Sequence, residues 1–197
     1  MLLRAIPLAC SVVRSAHRSR QFQLTRARFL SYTREDVEKM AVAISKGNRF
    51  QLSKAITLIE STRDYSRSQG QEVLDRLLAI KSEGGNTVAG FRMGISGPPG
   101  VGKSTFIESL GMDWIKMGHK VAVIAVDPSS HLSGGAILGD KTRMSALSMH
   151  PEAFVRPCPS GCVLGGLAEH TDEVVQLMEA AGYGVILVET VGVGQSE

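Results

Sequence analysis

The residues best suited to chemistry in this 197-residue chain begin with Gly97-Pro98-Pro99-Gly100-Val101-Gly102-Lys103-Ser104. The spacing is that of a phosphate-cradling loop, G-x-x-x-x-G-K-[ST], and it lies between a strand pattern and an amphipathic helix pattern. Gly97, Gly100 and Gly102 let successive backbone N–H groups turn inward toward phosphate oxygens, and the helix N-terminus adds a partial positive charge. Lys103 would neutralise the β and γ phosphates, the Ser104 hydroxyl is a ligand for Mg²⁺, and Thr105 is placed to reach the α-phosphate. The competing reading is a fortuitous glycine-rich turn, and the matched flanks argue against it. The expectation is a chain that binds a nucleoside triphosphate.

Such a loop needs an acid on a neighbouring strand, because Mg²⁺ keeps several waters and takes few protein ligands. Two acids qualify. Asp127 ends the apolar run 121–126 and Glu189 ends the run 185–188, so both fall at carboxyl ends of strands, where open α/β sheets bind ligands. Asp127 could instead cap a turn through Asp-Pro-Ser-Ser. Glu189 closes a buried strand and therefore needs a partner. Gly192, three residues later, would let a backbone N–H touch the γ-phosphate and relax when that phosphate leaves, which is switch geometry. Gln195 reads as a solvated loop side chain, with the orientation of a water as the sharper alternative. The glycine-rich stretch 129–139 leads to Asp140 and Arg143, which could act on the metal shell or a phosphate, or simply cap a helix and carry surface charge.

The elements that must position these residues follow from periodicity. Residues 91–96, 121–126 and 185–188 read as strands, and the last two, apolar at every position, imply a parallel sheet covered on both faces. Helices are expected at 104–117, 140–149 and 167–181, with a possible extra strand at 154–156. Ahead of these, apolar residues recur at helical spacing over 34–81 and predict three short helices, divided by Gly47-Asn48 and by the polar stretch 61–70. The expected organisation is a leader at 1–33, a helical segment at 34–83 and an α/β P-loop domain at 90–197 that ends after its second switch.

Composition limits the alternatives. With 43% hydrophobic and 21% charged residues the chain can form a globular core; no apolar run is long enough to span a membrane, and three cysteines are too few for a disulfide scaffold. Seven of the 22 basic side chains precede the first acid, Glu35. That leaves 15 bases against 19 acids, a net charge of −4 over residues 35–197, and hence no reason to expect nucleic acid. The leader is rich in Arg, Ser and small apolar residues, as a mitochondrial transit peptide is, and Arg28-Phe29-Leu30-Ser31 resembles a processing site. A secretory signal and a basic tail are the alternatives. Matrix localisation is therefore expected.

Four blocks carry a family resemblance: residues 97–108, Ala125-Val126-Asp127-Pro128-Ser129-Ser130, Leu138-Gly139-Asp140-Lys141-Thr142-Arg143-Met144, and Val188-Glu189-Thr190-Val191-Gly192-Val193-Gly194-Gln195-Ser196-Glu197. Together they resemble the GTPase chaperones of adenosylcobalamin-dependent methylmalonyl-CoA mutase, the mitochondrial methylmalonic aciduria type A proteins and their bacterial relatives, within the SIMIBI class of P-loop GTPases. The resemblance implies a Mg²⁺-dependent GTPase, binding GTP or GDP, that docks on the mutase and gates adenosylcobalamin loading and repair. It also implies that Lys103 and Ser104 handle phosphate and metal while Asp127, Asp140 and Glu189 form the acidic set, and that the family forms a homodimer. The family's Asn-Lys-x-Asp guanine-reading motif, remaining strands and dimerisation segment would lie beyond Glu197, so the 197 residues alone are expected to aggregate.

Cys158, Cys162 and Glu169 depart from the family pattern, and the C-x-x-x-C spacing is not a metal signature. A P-loop kinase of a small metabolite is the runner-up enzyme, and a non-hydrolysing fragment is a third reading. A nickel metallochaperone would want clustered His or Cys, whereas His119, His131, His150 and His170 are scattered.

Overall fold

The computed structural model describes residues 32–84, 90–98, 100–127, 144–159 and 170–190. Residues 34–197 form one compact unit.

Helix α1 (Arg34–Ser45) buries Val37, Met40, Ala41 and Ile44, the i, i+3, i+4, i+7 set that defines one helical face. Asn48 starts α2 (Arg49–Ile59) by accepting the N–H groups of Phe50 and Gln51, both at 3.1 Å, so the expected break is an N-cap. Helix α3 (Asp64–Glu83) is 20 residues long and corrects the expected division: most of the polar stretch 61–70 is its first turns. Ser66, Gln69 and Gly70 are buried there because α2 crosses α3 at close range. A Cβ on Gly70 would lie 2.8 Å from both the backbone N and the Cγ1 of Ile59. Polar composition at this point marks a helix crossing, which periodicity of apolar residues cannot register.

The remaining elements are β1 (Phe91–Ile95), α4 (Lys103–Lys116), β2 (Val121–Asp127), α5 (Ser145–Met149), β3 (Ala153–Pro159), α6 (Thr171–Ala180) and β4 (Val185–Glu189). The four strands form one sheet in the order β1-β4-β2-β3, every pair parallel. The fold is thus α/β, with the mostly parallel sheet and helical lead that the sequence implies. All of β4 is buried, as are residues 121–125 of β2, in keeping with their unbroken apolar sequences. One sheet face packs Val121, Val123, Ala125, Val185 and Leu187 against Ile107 of α4 and Leu147 of α5. The alternate residues Ala122, Ile124, Ile186 and Val188 point to the opposite face, where α6 packs on β4.

Three expected boundaries shift. The extra strand is longer than 154–156, running Ala153–Pro159 at one edge of the described sheet, where Pro157 and Pro159 need not donate to a second neighbour. The helix expected over 167–181 starts at Thr171, because His170 adopts a left-handed φ of 69° that no helix continues; residues 167–169 lie outside the described residues. Of the helix expected at 140–149, the described part is Ser145–Met149. No described helix is long and apolar enough to cross a membrane.

Candidate functional site: the carboxyl edge of the parallel sheet

Parallel strands deliver all their carboxyl ends to one edge, and three of those ends carry the residues singled out above. Register places Ile95 of β1 and Ala125 of β2 on either side of Glu189, so the exits of β1, β4 and β2 are adjacent. Along β2 the backbone position of Asp127 lies two residues beyond Ala125.

The loop after β1 turns through Gly100 (φ 79°) and Gly102 (φ 96°), backbone conformations that a side chain rarely adopts. Gly102 is the N-cap of α4, so Lys103 and Ser104 open the helix at its positive end. The ammonium of Lys103 folds back over the loop and donates to the carbonyls of Gly97 at 2.7 Å and Pro98 at 3.2 Å. The Ser104 hydroxyl donates to Oε1 of Glu189 at 3.0 Å across 85 residues of sequence. That bond gives the carboxylate, only 8% exposed, the partner that burial demands. Thr105 is exposed on the first turn of α4.

A hydroxyl and a carboxylate meeting at the head of a phosphate-loop helix are hard oxygen donors. They fit Mg²⁺, which takes one or two such protein ligands and leaves its other positions to water and phosphate. Among the described residues no group of three or more His, Cys, Asp or Glu could hold a metal.

The structure therefore brings together Gly97, Pro98, Gly100, Val101, Gly102, Lys103, Ser104 and Glu189. Pro99, Asp140, Gly192 and Gln195 lie outside the described residues, as do Arg143, Cys162 and Glu169. Sequence reasoning passed over Thr190, whose N–H donates to Ile95 O at 3.0 Å and whose hydroxyl reaches the same carbonyl at 3.4 Å, tying the exit of β4 to that of β1. Its signal was available: a hydroxyl residue directly after the strand-ending acid, beside the strand that feeds the loop.

The chain is similar to proteins already known. The family model described as methylmalonyl-CoA mutase-associated GTPase matches residues 52–197. A probable GTPase of Mycobacterium tuberculosis is 55% identical over 167 residues, covering 85% of this chain and 48% of that protein. The mouse methylmalonic aciduria type A homolog, described as mitochondrial, is 49% identical over 165 residues, covering 82% of this chain and 40% of its own length. Among solved structures, the crystal structure of a LAO/AO transport system kinase superposes with a TM-score of 0.63 at 37% identity, covering 85% of this chain and 47% of that one. The chain thus spans about half the length, or less, of these relatives. With the phosphate loop, the strand-end carboxylate and the sheet order all inside the matched region, the chain belongs to the family of methylmalonyl-CoA mutase-associated GTPases.

Proposed function

We propose that this chain binds GTP with Mg²⁺ over residues 97–104, hydrolyses it, and serves as the nucleotide switch of a mitochondrial chaperone for methylmalonyl-CoA mutase. The observation that carries the reading is the Ser104–Glu189 contact at 3.0 Å, one residue from the Lys103 ammonium, at the head of α4. Lys103 exchanges its two loop carbonyls for the β and γ phosphate oxygens, a compact charge suited to that task. Ser104 and Glu189 hold the metal side of the site, with Asp127 completing it from β2 and Asp140 from the segment that follows. Backbone N–H groups of residues 100–105 aim at the phosphates, so the chain contributes mostly orientation and electrostatics. Bound Mg²⁺ would neutralise charge developing between the β and γ phosphates.

Gly192 then senses the γ-phosphate through its N–H, and the segment after Glu189 relaxes when hydrolysis removes it. The mutase reads that change, which gates loading and replacement of adenosylcobalamin, and the longer family members do this as homodimers. Support for the partner lies in the family description and for the mitochondrial matrix in the mouse relative and the Arg-rich leader.

The test is a titration of the purified chain with fluorescent GTP and ATP analogues, with and without Mg²⁺. Selective, Mg²⁺-dependent GTP binding is expected. Binding of neither nucleotide, or equal binding with and without the metal, overturns the site.

A further inference from the structure

We propose that Glu108 is a positioning residue of the phosphate site, holding the first turns of α4 at the rotation that points Ser104 at Glu189; the proposal rests on the reading of that site given above. The attachment of this helix is uneven. Ile107 and Gly111 are its buried residues, and Leu110, Met112, Trp114 and Ile115, which pack partly against the core, all lie in its later turns. Thr105 and Phe106, beside the phosphate-handling pair, are exposed. Apolar packing thus holds α4 from Ile107 onward and leaves the first turn, which does the chemistry, without an apolar anchor of its own.

Two polar bonds on one face supply what packing does not. Ser104 and Glu108 are four residues apart and so share a face, about 6 Å apart along the axis. Ser104 reaches β4 through Glu189, while Oε1 of Glu108 accepts the N–H of Ala146 at 2.8 Å. Ala146 belongs to α5, whose N-cap residue, Met144, provides no side-chain acceptor. The carboxylate of another helix therefore takes the capping role.

The receiving element is itself firmly seated: Met144 and Leu147 are fully buried, and Leu147 fills the space left by Gly111, where a Cβ would come within 2.7 Å of its Cδ1. Rotation of α4 that swings Ser104 away from Glu189 must also pull Glu108 off Ala146. The two bonds consequently support one another, and the cap on α5 becomes part of the metal side of the site.

The experiment titrates Mg²⁺ into the full chain holding a fluorescent GTP analogue and reads nucleotide fluorescence. Glu108→Ala is expected to raise the Mg²⁺ half-saturation point about fivefold, the lower end of typical coupling between sites. Glu108→Gln, which keeps an oxygen for the Ala146 N–H, should fall between the wild type and Ala. In the unsubstituted chain, Mg²⁺ and the analogue together should slow amide exchange at Ala146, a readout independent of whether either variant folds. A Glu108→Ala chain that melts at lower temperature but keeps its Mg²⁺ half-saturation point, or unchanged Ala146 exchange, overturns the proposal. Wild-type chain with no Mg²⁺-dependent signal overturns the reading of the site itself, and the proposal with it.

Discussion

Arg156 and Glu60 stand 96 residues apart in the chain and 2.5 Å apart in space, one on edge strand β3 and the other just beyond the end of α2. The same guanidinium reaches Thr57 Oγ1 at 3.2 Å and Ser53 Oγ at 3.5 Å, so it spans the exposed flank of α2 as well as its end. With only 20% and 13% of the two side chains exposed, water screens the pair little. Arg156→Met is expected to cost about 2 kcal/mol, the loss of a charge-assisted hydrogen bond, and to lower the melting temperature by about 4–8 °C. A double-mutant cycle with Glu60→Gln checks the assignment. Strictly additive single effects would show that the contact carries no coupling.

Gly70→Ala sets two effects of opposite sign against each other. Alanine improves helix propensity by about 1 kcal/mol. Its Cβ, however, meets the backbone of Ile59 at 2.8 Å and the carbonyl carbon of Leu58 at 3.1 Å, and backbone cannot yield as a flexible side chain can. Forced separation of packed elements costs about 1–3 kcal/mol, so net destabilisation is expected in urea unfolding. A stabilised variant would show that α2 and α3 can part freely.

The two chemical residues should separate in their effects. Lys103→Ala is expected to weaken triphosphate binding about 10- to 100-fold, the equivalent of losing one charge-assisted contact to phosphate. Glu189→Ala should spare much of that binding while abolishing Mg²⁺-dependent hydrolysis and the response of the segment after it. Calorimetric titration with a GTP analogue, paired with single-turnover hydrolysis, distinguishes the two. Unchanged affinity in the first variant, or unchanged turnover in the second, removes that residue from the site.

Acid should weaken one contact of the helical layer. The Arg76 guanidinium bonds both oxygens of Glu38, at 2.5 and 2.9 Å, and this hydrogen bonding holds the Glu38 carboxyl below its ordinary value of 4.5. A depressed acid favours the folded state above its unfolded value and loses that contribution as pH falls through the folded one. The pair is solvent-exposed, so the effect is small. In Glu38→Gln the melting temperature should fall less steeply on acidification below pH 4.5 than in the wild type; parallel profiles would exclude the pair from acid sensitivity.

What could be read in advance, and what could not, has physical causes. Short-range patterns were legible: α1 and α2 follow from apolar residues at i, i+3 and i+4, and β2 and β4 from unbroken apolar runs whose only home is between two helical layers. The octet ending in Ser104 was legible because phosphate binding leaves little choice of residue at each position. The first turns of helix α3 were not, since Ser66, Gln69 and Gly70 are polar or small for the sake of a neighbour that is close only in space. Glu108 lies within a family block, yet its partner is a bare backbone N–H on α5, and no side-chain pattern announces such a donor. The pairing of Arg156 with Glu60 carries no sequence signal for the same reason.

The order β1-β4-β2-β3 also sets a timetable for synthesis. Strand β1 and its loop leave the ribosome early, but their neighbour in the sheet is β4, and Ser104 meets Glu189 only after 85 further residues. At about 5–20 residues per second, translation keeps the nascent loop waiting roughly 4–17 s for the strand beside it. During that interval strands β1 and β2 have no shared partner, and early pairing between them would occupy the place that β4 must take. Nascent-chain survival, more than the stability of the finished domain, is where slowed elongation or a missing holdase should be felt.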